Sequence, residues 1–397
     1  MTDANIGKMI VAGAGPVGLT LALMLRRAGI DVTVVEKRAT VNLQSKASTF
    51  HASTIDLLET CDVLDSMLAK GTRVDSVQYR APDGVVLAQL DFDLLKDRVR
   101  NPFRMHYEQG ELTTLMRDLF VKEGGDLRFN AGVSGVEQDD AGVTVTTEDG
   151  QTIRAGALFG CDGAQSFVRE AVRIGYVEKP YPGMVLRLYA QTDMRQIFPG
   201  LGGIAYLHLR DETCSLLEMP DCWRIVVRVP AGVSETEAMT DEWVVDRLRN
   251  LLSIEKLMPS VSGRDVYSAR SRRAFAASAG RVYLAGDALH LTNTKGGMNL
   301  NAGLHDAFAY SLAAVESFAC GDTAPLDRAA WERERVARCI LLPRTSENAG
   351  TGSERVKRIA SITTSPEGAR EFLAKQAMLD MLGGVSPELV GTGAVHV

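Results

Sequence analysis

Lys8 to Ala12 is a short apolar run that leads into Gly13-Ala14-Gly15-Pro16-Val17-Gly18, followed by an apolar-periodic stretch to about Arg27. Gly29 ends that stretch, and residues 31–36 form a second apolar run closed by Glu36. The pattern predicts strand, turn, helix and strand, with GxGxxG at the first turn and an acid about 20 residues further on. Gly13 makes the tight turn, Gly15 admits a pyrophosphate, and Gly18 lets helix and strand pack closely. Glu36 is placed to accept from a ribose 2′-hydroxyl, which disfavours a 2′-phosphate and points to the AMP moiety of FAD or NAD. Pro16, Val17 and Lys37 flank these positions and count with the cofactor contacts, although a lysine just beyond a strand end is commonly solvated.

Two later stretches repeat the device. Residues 157–160 form a short buried run ending in Cys161-Asp162-Gly163, and Ser166 and Arg169 open the helix that follows. Val282 to Ala285 is another short strand, delivering Gly286-Asp287 into a glycine-rich loop (Gly296, Gly297, Met298, Asn299, Leu300) before a helix from about Asn301. A carboxylate can accept from ligand hydroxyls, glycines let backbone come close, and a helix N-terminus offers free N–H donors with a positive dipole.

The rest of the chain bounds the class. Of 397 residues, 45% are hydrophobic and 24% charged, enough for two or three core-bearing units. A net charge of −6 argues against a general nucleic-acid binder. The six cysteines form no CxxC pair and no metal-ligand spacing, so no metal site is expected and the thiols read as reduced. No leader is visible and no apolar run approaches the roughly 20 residues of a membrane span, so a soluble cytoplasmic protein is expected. Residues 174–270 change to β-rich segments broken by turns, with a helix around Trp243 to Leu252, as in a separate sheet domain inserted before the last cofactor stretch.

The three motifs in this order resemble the single-component flavoprotein aromatic hydroxylases, the para-hydroxybenzoate hydroxylase type of FAD-dependent monooxygenase. The resemblance spans roughly residues 8–340. It implies an α/β fold: a Rossmann-like FAD-binding domain, an inserted β-sheet substrate domain and a helical C-terminal part. The expected division is 1–173, with a β excursion at about 72–100, and 271–345 for FAD; 174–270 for substrate; and 346–397 as a C-terminal helical segment. The implied activity uses NAD(P)H and O2 to hydroxylate a small aromatic or heteroaromatic substrate through a flavin C4a-hydroperoxide. Related flavoproteins that insert no oxygen, such as the polyprenyl reductase type, and a non-catalytic flavoprotein scaffold are the alternatives. A homodimer is left open.

Carried residue by residue, the resemblance gives Gly13, Gly15, Gly18 and Glu36 the ADP half of FAD. It sets Lys46 near the pyrophosphate and Gln109 on the ribityl chain, and Asp162 and Gly163 between FAD and nicotinamide. Arg169 would meet NAD(P)H phosphates, Asp287 a ribityl hydroxyl, and Gly296 through Asn301 the isoalloxazine, with the Leu300 and Asn301 N–H groups near its N1.

The chain departs from the family pattern where Asn293 and Thr294 replace prolines, Asn299 replaces a glycine, and Lys295 adds a charge. Lys295 is expected to lend positive potential to reduced flavin. Where benzoate-binding members carry an arginine, the strand from Thr213 offers Ser215, Leu217 and Glu218, leaving Arg187, Arg224 or Arg228 to serve from elsewhere. The catalytic residues stay open, with His208, Tyr189, Tyr206 and Lys295 as candidates. His51, His106 and His290 are further possible bases, the last expected to be architectural. Trp223 and Met219 are possible pocket residues, and Arg270, Arg272 and Arg273 possible pyridine-nucleotide contacts.

Overall fold

The computed structural model describes residues 7–386 except 45–46, 82, 180–182, 209–212, 253–257, 269, 351–352 and 363. Its centre is a six-stranded sheet in the order Ser278–Ala279, Val282–Leu284, Ala157–Gly160, Lys8–Ala12, Asp31–Val35, Asp126–Arg128. All but the first of these strands run parallel. Helices cover the sheet, so its inner strands read as unbroken apolar runs and not as alternation. Ala12 pairs with Gly160, and Gly160 with Leu284, in one row. The three motif turns therefore emerge side by side at the carboxyl ends of neighbouring strands, where open α/β sheets bind ligands.

A second sheet has seven strands in the order Val261–Ser268, Met184–Ala190, Trp223–Val229, Thr213–Glu218, Ile204–His208, Ser76–Arg80, Val86–Asp91. Its last two strands are the excursion expected within the cofactor domain. Ser76–Arg80 instead pairs in parallel with Ile204–His208, and this long-range pairing is invisible to local pattern. One face packs Leu186, Leu188, Leu216, Ile225 and Val227 against Val244, Leu248 and Leu252 of the helix Asp241–Leu252. By strand alternation the opposite face presents Arg187, Tyr189, Tyr206, Ser215 and Arg224.

The helix Met298–Cys320 starts three residues before the expected Asn301. Gly297 accounts for this: it holds the N-cap in a left-handed conformation at φ 65°, which glycine adopts without strain. The helix lies against Pro16–Arg27, where Gly303 lets it close on the first turn: an added Cβ would come within 2.8 Å of Val17. Helices Ala324–Val336, Leu342–Asn348, Ser353–Ile362 and Pro366–Gln376 complete the C-terminal part.

One buried network joins these parts. Asp306, fully buried, accepts from the Gly286 N–H at 3.0 Å, from His290 Nε2 at 2.8 Å and from Arg333 Nε at 2.6 Å. Arg333 also donates to the Met381 carbonyl at 2.7 Å. Burial pushes the Asp306 carboxyl up, but His290, Arg333 and the Gly286 N–H outweigh it and hold the group below its ordinary range. The ionised form is thus the one the fold favours, and its contribution is present above the unfolded carboxyl's pKa near 4 and lost as pH falls through the lower folded value. Asp306→Ala strands a buried arginine and should cost about 3–5 kcal/mol, measured as the shift in urea unfolding at neutral pH. The penalty should shrink in acid, where the wild-type carboxylate is itself protonated.

Candidate active site

The first turn is shaped by contact. Gly13 at φ +104° sits so close to the neighbouring motif that an added Cβ would meet the Cys161 carbonyl at 2.5 Å. A Cβ on Gly18 would meet the Gly13 carbonyl at 2.1 Å, whereas one on Gly15 would meet nothing within 4 Å. Two glycines are consumed by packing and the third opens outward, as a phosphate cradle requires. The Pro16–Arg27 helix starts at this cradle with Pro16 at its first position. Glu36 is 6% exposed and accepts from the Ala14 N–H at 2.8 Å and the Arg38 N–H at 3.0 Å. A carboxylate has about four acceptor sites, so lone pairs remain for a ribose hydroxyl. Lys37 is exposed beyond the strand end, and Lys46 lies outside the described residues.

The second turn is held from within. Asp162 Oδ2 accepts from the Val168 N–H at 3.0 Å, while its buried Oδ1 has no hydrogen-bond partner among the described residues. Burial pushes this carboxyl up. Gly163, at φ +86°, has open space over its Cα. Arg169 is buried: it donates to the carbonyls of Ala164 and Ala288 and stacks 4.0 Å over Tyr176, whose hydroxyl donates to the Asp287 carbonyl at 2.9 Å. Arg169 therefore braces the Gly286-Asp287 turn. Arg270 and Arg272 pair with Glu178, and Arg273 with Glu334. These contacts engage the arginines expected to meet a nicotinamide nucleotide.

The third turn and its loop are tied by the residues that break the family pattern. Asn299 Nδ2 donates to Asp287 Oδ1 at 2.7 Å, and its oxygen accepts from the Thr292 N–H at 3.0 Å. Asn293 Nδ2 donates to the Thr345 carbonyl at 3.0 Å, and its oxygen accepts from the Lys295 N–H at 3.0 Å. Asparagine side chains thus replace proline stiffness with hydrogen bonds. Asn301 is buried, donating to the carbonyls of Thr49 and Gly297 and accepting from the His51 N–H. Because the helix starts at Met298, the N–H groups outside its ladder are those of Met298, Asn299 and Leu300. The Asn301 N–H falls inside the ladder, so of the two N–H groups expected near N1 only that of Leu300 is outside it. Gln109 opens the helix Gln109–Lys122 and is half-buried.

Beside this loop lies a cavity lined by Tyr79, Tyr206, His208, Thr213, Lys295, Gly296, Asn348 and Gln376. Tyr79 packs between Tyr206 and His208, with ring centroids 5.6 and 5.8 Å away. Lys295 Nζ donates to the Thr213 carbonyl at 3.1 Å, so its charge sits at the cavity wall and links the loop to the second sheet. Three candidates from the sequence, Tyr206, His208 and Lys295, are brought together here. Tyr189 lies elsewhere on that sheet face, its hydroxyl donating to Asp265 at 2.8 Å. Trp223 belongs to the opposite face, in the core under the helix. Burial, reinforced by Arg104, lowers His51 well below its ordinary range; burial, with Arg104 and Arg224, brings His106 down to about 4. Both are neutral near pH 7 and weak as bases. His290 is architectural, as expected.

The unpartnered Asp162 Oδ1, the open Gly15 and Gly163, and a helix N-terminus all converge at one sheet end. Together with Glu36 at the end of the second strand, these features are of the kind a bound FAD requires. The FAD binding domain family matches residues 7–341. The chain belongs to this family.

Among relatives of this FAD-binding protein is a para-nitrophenol 4-monooxygenase of Pseudomonas sp. strain WBC-3. It is 26% identical over 355 residues, covering 86% of each chain. A dialkyldecalin synthase of Streptomyces rugosporus is 28% identical, covering 95% of this chain and 80% of its own. The crystal structure of p-nitrophenol 4-monooxygenase from Pseudomonas putida DLL-E4 superposes with a TM-score of 0.85 at 24% identity, covering 95% of this chain and 98% of the other, and shows the shared fold. The sequence reading missed Tyr79, Asn348 and Gln376. Tyr79 lay in the β excursion expected within the cofactor domain, and the other two lie beyond the family match, with no local pattern to mark them. Glu36→Ala should weaken FAD by roughly 1–3 kcal/mol, the scale of a lost charge-assisted hydrogen bond, measured by reconstituting the apoprotein.

Proposed function

We propose that this FAD-binding protein is a monooxygenase that uses NAD(P)H and O2 to hydroxylate a small aromatic or heteroaromatic ring. The observation that carries the reading is the cavity of Tyr79, Tyr206 and His208 that abuts Gly296, the residue just before the helix cap expected to face the flavin. FAD, when bound, supplies electron relay and oxygen activation; the protein supplies orientation and a sheltered cavity. Aromatic walls suit a flat ring, and the tyrosine hydroxyls and the His208 imidazole give its substituents hydrogen-bonding partners. The names of the monooxygenase relatives support this class.

Screening NADH and NADPH oxidation against phenols and heteroaromatics, with ¹⁸O₂ and mass spectrometry, should find a product carrying one labelled oxygen. Flavin retention and ligand binding without label uptake would favour a role without oxygen insertion, a reading kept in view by the dialkyldecalin synthase relative. Lys295→Met should raise KM several-fold at unchanged FAD content, because the lysine fixes the cavity wall to Thr213. An unchanged KM would make that hydrogen bond dispensable.

A further inference from the structure

The cavity beside the cofactor loop is closed by two amides that lie beyond the family match. Asn348 ends the helix Leu342–Asn348, and Gln376 ends the helix Pro366–Gln376. A π turn at Ala337–Leu341 precedes the first of these helices, with the Leu342 N–H donating to the Ala337 carbonyl five residues back. Pro343 accounts for it: proline brings no N–H, and its ring crowds the carbonyl four residues back, which an ordinary α turn does not accommodate. Such turns recur at functional sites. This one lies between Arg333, which holds Asp306, and Asn348, at the cavity.

The two amides are loosely engaged. Gln376 Nε2 donates to Asn348 Oδ1 at 3.3 Å, and Asn348 Nδ2 reaches the Met298 sulfur, a weak acceptor, at 3.9 Å. Gln376 is 7% exposed, yet among the described residues its Oε1 meets no donor. A buried amide with unmet hydrogen-bonding capacity is costly, and a ligand that meets it is favoured. An added Cβ on Gly296 would come within 2.8 Å of Asn348 Nδ2, so this amide lies directly on the residue before the helix cap. The cavity measures about 20 Å³, room for one water, whereas a cavity that takes up benzene is roughly 150 Å³. A ring therefore enters by parting a wall. Tyr79, Tyr206, His208 and Thr213 stand on strands held by ladder hydrogen bonds, while one long hydrogen bond joins the two amides.

We propose that Gln376 and Asn348 are the specificity determinants of the cavity and take an uncharged amide edge on the ring substrate, a carboxamide or a ring –NH–CO– group. Its N–H would donate to Gln376 Oε1 and its carbonyl would accept from Asn348 Nδ2, replacing the long bond between the two side chains. Either amide can turn over and exchange donor for acceptor, and an –NH–CO– edge pairs with both arrangements. Both side chains sit on the last turn of a helix, the negative end of its dipole, which favours a donor over an anion. The proposal rests on the hydroxylase reading for the ligand being a ring, and it names which rings within that class.

The test uses the FAD-loaded protein without turnover, reading the perturbation of the flavin absorbance. Each probe pair keeps the carbonyl and loses the N–H: benzamide against acetophenone, and 2-pyridone against N-methyl-2-pyridone. The wild type should bind the N–H member of at least one pair about fivefold or more tightly, the scale of one net hydrogen bond. Gln376→Met should bring the two members together by weakening the N–H member alone, at unchanged FAD content. Asn348→Leu should weaken both members alike, because each keeps the carbonyl. If Gln376→Met fails to fold, thermal unfolding of the wild type decides: the N–H members should raise Tm more than their partners. Equal effects of both members of both pairs on the wild type would overturn the proposal, and so would a preference that survives in Gln376→Met. Failure to incorporate oxygen would count against the hydroxylase reading and leave this binding result standing.

Discussion

The carboxylate of Asp306 is the constraint on which the site depends. It reaches the Gly286 N–H at the third turn, His290 after that turn, and Arg333 on a later helix, all from inside the helix that caps the cofactor loop. A buried carboxylate survives only when charges and donors compensate its lost hydration, and here two basic side chains and a backbone N–H do so. Arg333 passes the constraint to Met381 in the C-terminal part. The turn, the capping helix and the last helices are therefore fixed relative to one another by a single buried charge.

From that anchor the rest of the site follows by adjacency. Three parallel strands end in one row, and each delivers a glycine-containing turn toward the same place. Arg169 and Tyr176 brace the second and third turns together, while Asn299 ties Asp287 to the loop. Lys295 carries the linkage across to the substrate sheet. Asn348 and Gln376 then close the cavity from the C-terminal helices. The division of labour matches what a flavin enzyme needs: a cradle on the mainly parallel sheet and a cavity wall on the mainly antiparallel one.

Much of this was legible residue by residue. The glycine spacing, Glu36 and the Asp-Gly turns each carry a local steric or electrostatic requirement, so they announce themselves in order along the chain. The strands Met184–Ala190, Ile204–His208, Thr213–Glu218 and Trp223–Val229 were legible from turn residues and β-rich composition. The helix start at Met298 was misread because a left-handed Gly297 and a loop glycine look alike in sequence. The bracing contacts of Arg169 were not legible for a related reason: a basic residue on a helix after an Asp-Gly turn suits a phosphate and a backbone carbonyl equally well.

The sequence by itself determined the cofactor half, because each of its requirements lies within a few residues of the group that imposes it. Gly18 must be small where helix meets strand, and the acid must sit at the end of the second strand. Only the tertiary structure decided the substrate half. Tyr79 joined it through a parallel pairing with a strand more than a hundred residues away, and Asn348 and Gln376 through helices folded back over the loop. It also decided which arginines have carboxylate partners, since Arg187 meets Asp265 across strands while Arg104 has none among the described residues. Such pairings are set by register and burial, which short-range patterns do not encode.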